Sequence, residues 1–156
     1  MIKYLFIFIC MLNLTFSNEI DSLFSAINRK DFDYVKANIS RNINASDSYS
    51  GTTPLLVASY SGSLKIVEFL LNNGAKVNIA NKQGDTPLLK ASASGSKEIV
   101  ELLLQNGAKV NVTNSDGNTP LLMALASGSK EIVELLLTHG ADIDKKNYDG
   151  VTPLLA

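Results

Sequence analysis

The chain has 156 residues, with 14 basic against 15 acidic side chains, a net charge of −1, one cysteine and one histidine. A balance this even leaves no basic footprint of the kind nucleic acid demands. A single cysteine excludes an internal disulfide, and one histidine with one cysteine supplies too few ligands for a zinc site of ordinary composition.

The chain opens with one positive charge, Lys3, followed by the almost wholly apolar run Tyr4–Leu12 and a short polar-tinged stretch, Asn13 to Ser17. That layout predicts a secretory signal peptide over residues 1–17, with Thr15-x-Ser17 as a small-residue cleavage site. The alternatives are an uncleaved anchor, for which the run is short of the roughly 20 apolar residues a span needs, and a buried N-terminal helix. Phe8-Ile9 ahead of Cys10 lacks the small residues of a lipidation site, so Cys10 reads as apolar filler. Cleavage after Ser17 would remove one base, no acid and the only cysteine, and predicts export to a periplasm or the medium. Stability would then rest on packing alone.

Residues 18–45 form the first unit. Leu23, Phe24 and Ile27 can line one helix, and Phe32, Val35 and Ile39 a second. Arg29, Lys30, Asp31, Asp33, Lys36 and Arg41 make the unit polar, as the water-facing end of a stack requires.

From residue 46 the chain repeats every 33 residues, in units 46–80, 81–113, 114–146 and an incomplete 147–156. Pro54, Pro87, Pro120 and Pro153 lie on this grid, and the glycines fill three registers at the same interval. Proline and glycine restrict the backbone in opposite ways, so repeating both repeats the backbone. In each unit the threonine of Thr-Pro can cap a helix whose first residue is proline. For the second full unit this predicts a helix over Pro87–Ser94 that stops at Gly95. Ser96 then caps a second helix with an inward stripe of Ile99, Val100, Leu103 and Leu104, and Gly107 ends it with a left-handed backbone. No unit can bury its aliphatic face alone, so neighbouring units must stack.

The repeated strings are Thr-Pro-Leu-Leu at Thr53–Leu56, Thr86–Leu89, Thr119–Leu122 and Thr152–Leu155; Ile-Val-Glu at Ile66–Glu68, Ile99–Glu101 and Ile132–Glu134; and Gly-Ala at Gly74, Gly107 and Gly140. Together they resemble the ankyrin repeat over about residues 46–156. The resemblance implies an all-α repeat solenoid of stacked helix-turn-helix units with β-turn or hairpin fingers. It also implies a protein-binding role through a concave groove. One family feature is missing: the histidine of T-P-L-H is leucine in every copy (Leu56, Leu89, Leu122, Leu155). That removes the polar tie the histidine makes to a neighbour and predicts an apolar contact in its place. The chain stops inside the first helix of a unit, which reads either as a fragment of a longer array or as a last unit with an apolar flank.

Catalytic chemistry finds no foothold. His139 stands just before Gly140, where a helix C-terminus suits it. Glu68, Glu101 and Glu134 recur on the second helices, and Lys97–Glu101 and Lys130–Glu134 are i, i+4 pairs, which predicts a solvated back. Asp142 and Asp144 sit beside Lys145 and Lys146, a mixed-charge turn. No phosphate-loop signature is present. Asn78 and Asn111 recur at one turn position, which predicts local side-chain-to-backbone bonds. No enzyme activity, cofactor or metal is expected.

Binding residues are therefore sought where the copies differ. Differences collect in the fingers, at Tyr49, Ser50 and Thr52, at Lys82, Gln83 and Asp85, at Ser115, Asp116 and Asn118, and at Tyr148. They also collect at the ends of the first helices, above all at Tyr60. These residues are the candidate contacts for a partner protein, with the tyrosines as anchors; unconstrained loop positions are the alternative. The function read from the sequence is a non-catalytic binding module. The other two readings are a segment of a larger exported protein whose activity lies beyond residue 156, and a structural spacer.

Overall fold

Each Thr-Pro step does start a helix. Thr53, Thr86 and Thr119 are extended N-caps whose hydroxyls accept from the N–H of Leu56 (3.4 Å), Leu89 (3.3 Å) and Leu122 (3.2 Å), with proline as the first helical residue. The computed structural model describes residues 18–40 and 42–153; the expected signal peptide, Arg41 and Leu155 lie outside them. Helices α1 (residues 18–28) and α2 (Phe32–Asn38) form the first pair. The next three pairs are α3 (Pro54–Tyr60) with α4 (Leu64–Asn72), α5 (Pro87–Ala93) with α6 (Lys97–Gln105), and α7 (Pro120–Ala126) with α8 (Lys130–Thr138).

The pairs stack so that equivalent residues share one continuous core. Leu55, Leu88 and Leu121 from the first helices meet Ile66, Ile99 and Ile132 and Leu70, Leu103 and Leu136 from the second, all buried. Each such side chain contributes about 1.5–3 kcal/mol on leaving water. Ala58, Ala91 and Ala124 are fully buried and small enough to let the first helices close on one another. α3, α5 and α7 accordingly approach each other at more points than α4, α6 and α8 do. Cover declines along the stack: Val67 and Val100 are buried, whereas Val133 is half-buried and Leu137 exposed, with no described helix pair beyond them.

The expected hairpin fingers are not formed. Among the described residues there is no β-strand, and the segments between helix pairs are turns. Adjacent fingers share one backbone bond each: Lys82 N–H to Ser50 O (2.8 Å), Ser115 N–H to Gln83 O (2.8 Å) and Tyr148 N–H to Asp116 O (3.0 Å). Asparagine side chains claim the other N–H groups. Asn81 Oδ1 accepts from Gln83 (3.0 Å) and Asp85 (2.9 Å), Asn114 from Asp116 and Asn118, and Asn147 from Asp149 and Val151. Local side-chain bonds of this kind compete with ladder formation. The described residues thus form an all-α stack of helix-turn-helix repeats without strands.

Three smaller expectations also change. Asn78 and Asn111 do not bond locally but clamp the next unit. Asn78 Nδ2 donates to Gly107 O (3.0 Å) while its Oδ1 accepts from Lys109 N–H (2.9 Å), and Asn111 does the same with Gly140 and Asp142 (both 2.9 Å). Asn44 repeats the pattern on Gly74 and Lys76. Each clamp satisfies a carbonyl that the helix end leaves open. A polar tie between units therefore exists, but not where Leu56, Leu89 and Leu122 stand buried. Ser96 occupies the N-cap of α6, yet its hydroxyl makes no capping bond and pairs with Ser94 Oγ at 3.0 Å. Of the two lysine–glutamate pairs, Lys130–Glu134 reaches 3.9 Å in full exposure to water, and Lys97–Glu101 does not close.

Candidate functional site

The face built from the finger tips and the first helices carries the sequence-predicted residues, and the structure divides them into two sets. Tyr49, Tyr60 and Tyr148 are 91%, 61% and 79% exposed, and Lys82, Gln83, Ser115 and Asp116 are exposed with them. Ser50, Thr52 and Asn118 are half-buried, and Asp85 is 8% exposed. The second set holds the fingers in shape.

The first finger is wound around Asp47. Its carboxylate accepts from the N–H groups of Tyr49 (2.9 Å), Ser50 (2.6 Å) and Thr52 (2.8 Å) and from the Ser50 hydroxyl (2.5 Å). Burial raises the carboxyl pKa, but the Ser50 hydroxyl and the N–H groups of Ser50, Thr52 and Tyr49 outweigh it and hold the group below its ordinary value. Later fingers use asparagine for the same task. Asn114 Nδ2 also reaches back to Asp85 Oδ1 (3.1 Å), and Asn147 Nδ2 to Asn118 Oδ1 (3.0 Å). Asp85 and Asn118 are therefore committed to the stack.

Lys90 on α5 connects the two sets. Its Nζ lies 2.7 Å from Asp85 Oδ2 and 5.8 Å from the centre of the Tyr60 ring. Tyr60, Lys90, Asp85 and Asn114 thus form one contiguous polar line across three successive units, with Tyr60 at its exposed end. Lys90 was invisible to sequence comparison because its register partners, Val57 and Met123, are apolar and suggest no charge. Asn81, Asn114 and Asn147 did carry a legible signal, their 33-residue recurrence.

The opposite face offers Glu68, Glu101 and Glu134, all exposed. His139 ends α8, with Nδ1 2.8 Å from Leu135 O. Asp142 Oδ1 accepts from Asp144 N–H (2.9 Å), and Lys145 Nζ donates to Asn111 O (3.1 Å), a turn stabilised within the chain. Among the described residues no group of three or more His, Cys, Asp or Glu gathers where a metal ion could sit, and no helix is long and apolar enough to cross a membrane. What the arrangement offers is a shaped surface with aromatic and charged projections, the equipment of a non-catalytic binding module.

No curated protein matches the chain at a significant level. A family model described as ankyrin repeats in three copies matches residues 1–81, 22–114 and 73–147, which together span nearly the whole chain. Its stacked pairs of short helices, Thr-Pro caps and the matched residues agree, and the chain belongs to the ankyrin-repeat family.

Proposed function

We propose that the chain grips a partner protein in the concave groove between the finger tips and the row of first helices. The observation that carries this reading is the coincidence of three properties on one face. The copies diverge there, the large exposed tyrosines Tyr49, Tyr60 and Tyr148 project there, and α3, α5 and α7 pack more closely on that side than α4, α6 and α8 do on the other. Aromatic side chains supply contact area at low entropic cost and dominate interface energies. Tyr49, Tyr60, Lys82, Gln83, Ser115, Asp116 and Tyr148 are the contact set; Ser50, Thr52, Asp85 and Asn118 serve by holding it in place.

The test is an affinity capture with the full chain as bait, followed by titration of a captured partner. Tyr49→Ala with Tyr60→Ala should weaken binding by about 2 kcal/mol or more and leave the thermal midpoint near wild type. Glu68→Ala with Glu101→Ala should leave binding unchanged. Affinity that followed the glutamates and ignored the tyrosines would move the working surface to the helical back.

We further propose that the protein is exported, a reading supported by Lys3 and the apolar run Tyr4–Leu12. Edman sequencing of the mature protein should then start near Asn18. An intact Met1 in the cytoplasmic fraction would rule export out.

A further inference from the structure

We propose that Asn73 and Asn106 are sites of self-modification, each deamidated by the backbone nitrogen of the glycine after it, and that the asparagine clamp from the preceding unit sets the rate. Asn-Gly occurs in this chain only at Asn73-Gly74 and Asn106-Gly107. Glycine has no Cβ to crowd the approach of its nitrogen, so this pair cyclises more readily than any other asparagine step. The glycine nitrogen attacks the asparagine Cγ and a C–N bond forms. The Cγ–Nδ2 bond breaks, and Nδ2 leaves as ammonia with the proton from the glycine N–H. Water then opens the succinimide. Hydrolysis at Cγ gives aspartate; hydrolysis at the main-chain carbonyl gives isoaspartate, with the backbone rerouted through the side chain. Asn73, Gly74, Asn106 and Gly107 are all exposed, so water, the one co-reactant, has access to both sites.

The closed helix ends hold the reacting atoms apart. Ring closure needs the glycine nitrogen on the Cβ side of the asparagine, whereas ψ of 16° at Asn73 and 15° at Asn106 turns it toward the asparagine's own nitrogen. The groups are also tied. Asn73 Nδ2 donates to Phe69 O (2.7 Å) and Gly74 N–H to Leu71 O (3.1 Å). Asn106 Nδ2 donates to Leu102 O (2.8 Å) and Gly107 N–H to Leu104 O (3.0 Å). The clamps add the outer restraint: Asn44 holds Gly74 O and Lys76 N–H, and Asn78 holds Gly107 O and Lys109 N–H. Reaction therefore waits on local opening of the helix end, and each bond removed from the closed state raises the open population. In the third full unit the same clamp, from Asn111, stands over His139-Gly140, and His139 has no amide to lose. The product cannot re-form the cap. A carboxylate has no N–H for Phe69 O or Leu102 O, and its charge falls at the negative end of the helix dipole. A unit that has opened is thus marked by an added negative charge.

The full chain is aged in neutral buffer and mapped by peptide mass spectrometry, with the chain unfolded in urea giving the unprotected rate. Both asparagines should convert more slowly in the folded chain. Asn44→Ala should speed conversion at Asn73 on the order of tenfold, the scale of ordinary hydrogen bonds lost, and leave Asn106 unchanged. Asn78→Ala should do the reverse. Asn44→Asp and Asn78→Asp keep the acceptor and drop only the bond to the glycine carbonyl; they should show the same crossed pattern more weakly, and they decide the matter if the alanine variants lose helical circular dichroism. Acceleration at both sites by either folded variant, or at neither, would overturn the role of the clamps. No conversion in the unfolded chain would overturn the sites themselves.

Discussion

Truncating Leu103 to alanine should lower the unfolding free energy by about 2–5 kcal/mol, the range of buried leucine-to-alanine changes. Leu103 has no exposed surface and sits in the middle helix of the second row, equivalent to Leu70 and Leu136, which are just as buried. The cavity would open at the centre of a stack whose stability is passed from each unit to the next. The damage should therefore reach past one unit and broaden or split the urea transition followed by circular dichroism at 222 nm. Leu104→Ala is the internal comparison, because Leu104 is half-buried at the edge of the core. Equal, small losses at both positions would mean that Leu103 does not face the core.

Gly117→Val should cost about 2–5 kcal/mol, and Gly107→Val only about 1–2. Both glycines have left-handed backbone, φ +77° and +81°, and a side chain there costs about 1–2 kcal/mol by itself. They differ in their surroundings. A Cβ on Gly117 would stand 2.9 Å from Tyr148 N and 3.0 Å from Asn147 Cα, whereas a Cβ on Gly107 meets nothing within 4 Å. Overpacking against backbone adds about 1–3 kcal/mol at the first site. The urea midpoints of the two variants separate the terms, since the difference between them isolates the close approach of neighbouring fingers. If the two variants lose stability equally, the fingers do not pack across Gly117.

Most helices were legible residue by residue. Pro54, Pro87 and Pro120 with their threonines marked the first helix of each full unit, and the Ile99, Val100, Leu103 stripe marked the buried face of the second. The exposed members of the candidate face were legible too, because Tyr49, Tyr60 and Tyr148 interrupt registers that are otherwise polar or small. Asp85 was misjudged as a surface residue for the opposite reason. In sequence it is one more variable finger position, and only the arrival of Lys90 and Asn114 turns it inward.

The sequence by itself determined the helix boundaries, the stacking period and the family, because caps, prolines and glycine turns act within three or four residues of themselves. The tertiary structure alone decided the asparagine clamps, the sorting of candidate contacts into exposed and committed ones, and the close approach of neighbouring fingers. Each of these depends on a group about thirty residues away: Asn78 on Gly107, Asp85 on Asn114, Gly117 on Tyr148. A repeat period records that such neighbours exist. Which hydrogen-bonding group they offer, and to which side chain, is settled only when the units stack.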